Sequence, residues 1–90
     1  MPYIKQERRV ILDCLINPLI DNIRVSDCPD GEANYAMSRI ASGVLGGPRY
    51  ADIAKVIGAF ECAKLEFYRR VASKLEDRAI QRNGDIKEYV

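Results

Sequence analysis

The sequence predicts an all-α protein, a small bundle of three to four helices with a long C-terminal helix. Three observations carry that prediction. Apolar residues recur at spacings of three and four along three segments, the repeat that lines one helix face. No stretch alternates apolar and polar residues for more than a few positions, so no strand is expected. The breaks between segments fall at SDCPDG (26–31) and GGP (46–48), where proline, glycine and aspartate favour turns. A chain of 90 residues is too short for two independent cores, so one domain, 1–90, is expected.

The first helix is expected to begin near Lys5. Its apolar stripe is Val10, Ile11, Leu12, Leu15, Ile16, Leu19, Ile20 and Ile23 and keeps helical phase across Pro18. Asn17-Pro18 fits an N-cap followed by proline at the first helical position, so this segment is one kinked helix or two short ones. Asp30 is the expected cap of the second helix, placed at about Glu32 to Leu45, with Ala33, Ala36, Met37, Ile40, Ala41 and Val44 on one face. Glu32, Tyr35 and Arg39 lie on the opposite face. Gly46-Gly47-Pro48 should end this helix, glycine supplying a left-handed cap and proline blocking continuation.

The third helix is expected from about Asp52 to Arg82, with Asn83-Gly84 as its stop. Roughly 30 residues at 1.5 Å each make a helix about 45 Å long, more than two shorter helices cover. A homo-oligomer, by default a dimer, is therefore the expected assembly. Ala54, Gly58 and Cys62 add a shallow groove of small side chains, into which another helix fits closely.

Composition narrows function. No apolar run reaches the roughly 20 residues a membrane span needs, and MPYIKQERR turns charged too early for a signal peptide. A cytoplasmic protein is expected. With 14 basic against 13 acidic residues there is no global attraction to extended nucleic acid. The chain contains no histidine, which removes Ser-His and Cys-His dyads and most zinc sites. Cys14, Cys28 and Cys62 are widely spaced and fit reduced thiols. No catalytic residue, metal or cofactor is expected.

The residues that stand out are Glu61, Lys64 and Tyr68. At 100° per residue Lys64 falls inside the apolar arc of Ile53, Val56, Ile57, Phe60, Ala63, Phe67, Val71 and Leu75, with Glu61 and Tyr68 at its edge. The i, i+3, i+7 spacing lets the three touch, and a buried ammonium must pair with Glu61, reach water or meet an anion. Arg49 and Tyr50 before the helix, and Arg69 and Arg70 after Tyr68, combine guanidinium groups with aromatic rings. That is the chemistry that grips a phosphate and stacks a base. The candidate ligand-binding set is Lys64, Glu61, Tyr68, Arg69, Arg49 and Tyr50. The common alternative is a Glu61–Lys64 pair with Tyr68 capping the edge of the core and the arginines simply solvated; a third reading is a polar contact at an oligomer interface.

MPYIKQE, NYAMSRI and above all ECAKLEFYRR followed by ED and NGD resemble a family of small prokaryotic and phage proteins of unknown function. The resemblance covers nearly the whole chain and departs at Ala72-Ser73-Lys74-Leu75. It implies a helical domain and no particular activity. The expected function is a non-enzymatic, oligomeric binding protein, in its phage-type version an anti-defence factor sequestering a small anionic nucleotide ligand. One alternative is a protein-binding adaptor or inhibitor. Another is an all-α Mg-dependent nucleotide pyrophosphatase using Glu32, Glu61, Glu66, Glu76 and Asp77, although the ExxE and ExxD pairs of such enzymes are missing.

Overall fold

The structure is a computed structural model and describes residues 4–90. Met1, Pro2 and Tyr3, which open the segment judged too charged for a signal peptide, lie outside the described residues. The protein is all-α, with no strand among the described residues. Its internal contacts divide it into two units, Met1–Pro48 and Arg49–Val90.

The first unit holds two helices, α1 (Gln6–Arg24) and α2 (Pro29–Val44). Lys5 is the extended N-cap of α1, and its carbonyl accepts from the N–H groups of Arg8 and Arg9 at 3.0 and 3.1 Å. The chain runs through Pro18 as one helix, so Asn17 does not cap a second one. Pro18 lacks the N–H that would bond to the carbonyl four residues back, and one rung of the ladder is absent. The side-chain amide of Asn22 donates to the Pro18 carbonyl at 2.8 Å in the following turn.

The Ser26 N–H donates to the Ile23 carbonyl at 3.1 Å, and the Ser26 hydroxyl accepts from the Cys28 N–H at 2.9 Å. These bonds turn the chain into α2. Cys28, not Asp30, is the N-cap, and Pro29 takes the first helical position. Proline is pre-set for that position, which moves Asp30 into the first turn, where its charge complements the helix dipole. A Cβ at Gly31 would lie 2.7 Å from Cys28 Sγ, so a larger residue there requires the Cys28 side chain to shift. The exit also differs from the expectation. Leu45 is extended (φ −61°, ψ 119°), and the positive φ recorded among the described residues is at Gly84. Helix α2 therefore ends at an extended Leu45, without a left-handed glycine. The two helices pack on one another, with Ile23, Ala33 and Ala36 half-buried.

The second unit is one continuous helical run: α3 (Tyr50–Phe67), a π-helical turn (Tyr68–Ala72) and α4 (Ser73–Asn83), with a short 3-10 turn at Lys87–Tyr89. It begins two residues before the expected start, because Asp52 accepts from both the N–H and the Nε of Arg49 at 3.3 and 3.2 Å. It ends at the expected stop: Gly84 has φ +83° and its N–H donates to the Ile80 carbonyl at 2.7 Å. The π turn was not expected. In an unbroken α-helix, residues i and i+8 sit about 80° apart around the axis. One inserted residue sets the later one back by about 100°, leaving the two about 20° apart. Tyr68 and Glu76 consequently share a face.

Among the described residues none is buried in either unit; Leu12, Val56 and Phe60 are half-buried, and the other apolar stripe positions are mostly more exposed. Local sequence chemistry has made the helices, but their apolar faces lack a covering layer.

Candidate functional site

Helix α3 and the π turn carry most of the residues singled out from the sequence. Lys64 Nζ lies 3.3 Å from Glu61 Oε1, an i, i+3 pair on the last turns of α3. The expected buried ammonium is not observed: the Lys64 side chain is 70% exposed and that of Glu61 51%. The arc into which Lys64 projects is itself open to solvent, so its charge remains hydrated. In this setting the pair contributes only about 0.3–0.5 kcal/mol to the helix.

Tyr68 does not complete the expected ladder. Its hydroxyl donates to the carboxylate of Glu76, with Oε1 at 2.8 Å and Oε2 at 2.9 Å. The π turn accounts for this correction, because it rotates Glu76 beneath Tyr68. The hydrogen bond to Glu76 raises the Tyr68 pKa above its ordinary value of 10.0; the carboxylate's negative charge and slight desolvation act in the same direction.

The arginines are also engaged. Arg69 Nη2 lies 3.0 Å from Glu66 Oε2, and Arg70 Nε lies 2.7 Å from Glu66 Oε1. One carboxylate thus holds two guanidinium groups. Arg49 pairs with Asp52 at the start of α3, and Tyr50 beside it is 86% exposed. Arg49 and Tyr50 are separated from Lys64, Tyr68 and Arg69 by roughly 20–30 Å along the helix at 1.5 Å per residue. One chain therefore does not gather the six residues into a pocket. It presents two groups, at the start and at the middle of one helical run.

A concave feature occurs elsewhere. Between α1 and α2 a crevice of about 340 Å³ is lined by Leu19, Asn22, Ile23, Glu32, Tyr35, Ala36, Arg39 and Ile40. Arg39 Nη1 donates to the Tyr35 hydroxyl at 3.3 Å at its edge. Glu32, Tyr35 and Arg39, expected on the side of α2 opposite its apolar face, line this crevice together with Ala36 and Ile40. The missed signal was their three- and four-residue spacing beside Ala36 and Ile40, which marks a boundary strip between polar and apolar faces. The small-residue groove is open: Ala54 and Cys62 are exposed, and nothing beyond Gly58's chain neighbours and its own helix backbone lies within 4 Å of a Cβ built on Gly58. Among the described residues no group of three or more cysteine, aspartate and glutamate side chains is arranged to hold a metal ion.

The sequence features that resembled a known family extend over nearly the whole chain, and comparison with family models decides the matter. The chain belongs to the family described as Domain of unknown function (DUF6899). The match spans residues 1–86, both helical units included. It therefore includes the crevice between α1 and α2 as well as the Glu61, Lys64 and Tyr68 region. No curated protein and no solved structure matches the chain. No described helix is long and apolar enough to cross a membrane.

Proposed function

We propose that this DUF6899 protein is a non-enzymatic helical adaptor that works by association, assembling with itself and engaging a protein partner through open apolar helix faces. The observation that carries this reading is the state of the long helix. Ile57, Leu65, Phe67, Val71 and Leu75 are each 52–66% exposed, and residues of this type serve a folded protein when covered. Fully burying such a side chain is worth about 1.5–3 kcal/mol, so covering the remaining surface of these five stabilises each copy by roughly 4–9 kcal/mol. That is comparable to the cost of association, about 4–15 kcal/mol per complex, once two copies contribute. Isolated helices gain little from propensity alone, and tertiary or quaternary packing supplies most helical stability. The crevice between α1 and α2 offers a second apolar surface, sized for a side chain of a partner helix and edged by Glu32, Tyr35 and Arg39.

The free thiols of Cys14, Cys28 and Cys62 are all exposed, which suits a reducing cytoplasmic compartment. A second reading, the phage-type nucleotide-sequestering factor, draws on Arg69 and Arg70 converging on Glu66. That arrangement already accommodates an anionic group. In this reading a phosphate replaces the Glu66 carboxylate, with Lys64 and Tyr68 nearby. Adaptor function ranks first because every cation of the candidate set, Arg49, Lys64 and Arg69, is already matched to a carboxylate.

Native mass spectrometry of the gently purified protein tests both readings in one spectrum. A discrete oligomer without added mass supports the adaptor. An oligomer retaining the mass of a nucleotide favours sequestration, and a monomer at micromolar concentration sinks self-assembly.

A further inference from the structure

The spacing of side chains along the long helix identifies what covers it. Ile53, Ile57, Phe60, Lys64, Phe67 and Val71 follow at alternating steps of four and three, the repeat of a helix–helix seam. Beyond Val71 the steps to Leu75 and Ala79 are both four, which would carry an unbroken α-helix off the seam. The π turn at Tyr68–Ala72 absorbs the extra residue and returns Leu75 and Ala79 to the same face. The hydrogen bond from Tyr68 to Glu76 spans that turn on the adjacent strip. A single apolar seam thus runs from Ile53 to Ala79, with one charged residue, Lys64, in it.

We infer that the seam is covered by the same helix of a second copy of this chain, running antiparallel about a two-fold axis between Lys64 and Phe67. This rests on the self-assembly reading above and goes further by specifying the surface and the orientation. Lys64 decides the direction. In a parallel pair it would face the second copy's Lys64 across one layer, two like charges in an apolar setting. In the antiparallel pair it faces the second copy's Phe67. The ring then covers the lysine stem and offers its face to the ammonium, while Glu61 stays 3.3 Å away at the edge.

The arrangement is also the one that uses the full helix. The run Tyr50–Asn83 has its midpoint close to Phe67, so an axis there overlaps the two copies almost end to end. About that axis Phe60 meets Val71, Ile57 meets Leu75 and Ile53 meets Ala79, each pairing a larger with an equal or smaller apolar side chain. Each large seam side chain still offers roughly 60 Å² of apolar surface, about 700 Å² over two copies. With the flanking strips the total approaches the roughly 1,000 Å² that a specific interface needs.

The test is a distance between spin labels on the full-length chain. Lys55 is exposed and lies on the side away from the seam, so Lys55→Cys carries the label, with Cys14, Cys28 and Cys62 changed to serine. Circular dichroism verifies helicity first, and Arg82→Cys provides a second label site if the first variant is not helical. The antiparallel pair predicts a separation of about 40 Å at residue 55, whereas a parallel pair brings the labels to about 25 Å. A dimer with the long distance supports the inference. A dimer with the short distance overturns it and leaves self-assembly standing, and a monomer with no dipolar coupling overturns both.

Discussion

Replacing Phe67 with alanine is the most direct measure of whether the open face of the long helix drives association. Phe67 is 66% exposed in the single chain and occupies a seam position. Full burial of a phenylalanine is worth up to about 3 kcal/mol, so the part left to be covered is worth about 1–2 kcal/mol per copy. Both copies of a symmetric dimer lose it, which weakens association by roughly 2–4 kcal/mol, or about 30- to 1,000-fold in Kd. Alanine is the best helix former, so Phe67→Ala should leave α3 intact. Sedimentation equilibrium over a concentration series reads the Kd of both proteins, with Lys55→Ala as a control on the opposite side. A dissociation constant unchanged within a factor of three would refute the argument that exposed apolar area on this helix marks an interface. Weakening by both substitutions alike would point to a general loss of helix stability instead.

Two further outcomes test the local reading. Gly58→Ala should raise thermal stability by about 1 kcal/mol, because nothing lies within 4 Å of the new Cβ and alanine is the better helix former; a fall in stability would show another helix packed into the Ala54, Gly58, Cys62 groove. Tyr68 should ionise above its ordinary value of 10.0, and Glu76→Gln should bring that ionisation back toward 10 in an ultraviolet titration. The sign follows from linkage. The folded-state value is raised, so the stabilising contribution of the neutral phenol is fully present below pH 10 and disappears as pH rises through the folded value. An identical titration in the two proteins would mean that the bond to Glu76 does not persist in solution.

Helix identity and most helix ends were legible in the residues because they depend on local chemistry. The three- and four-residue apolar spacing, the stop at Asn83-Gly84 and the breaks around SDCPDG and GGP all act within a few residues. The errors at the second helix arose between near neighbours competing for the same role. Pro29 claimed the first helical position and displaced Asp30 from the cap, and the extended Leu45 ended the helix without a left-handed glycine. The Glu61–Lys64 pair was legible because i, i+3 neighbours meet on any helix. Tyr68 meets Glu76 and not Lys64 because 100° per residue does not hold across the π turn, and the consecutive four-residue steps from Phe67 to Ala79 contain the signal for an inserted residue.

The residues alone reveal a helical chain, the ends of its helices to within a few residues, and the absence of any histidine-based chemistry. The folded chain was needed to see that Lys64 is open to water within a single copy, that Tyr68 turns to Glu76, and that Glu32, Tyr35 and Arg39 border a crevice. The physical reason is one of range. Capping, periodicity and i, i+4 contacts are set within a turn or two, whereas burial depends on which surfaces meet, and hydrophobic attraction is not directional enough to specify that from the pattern alone.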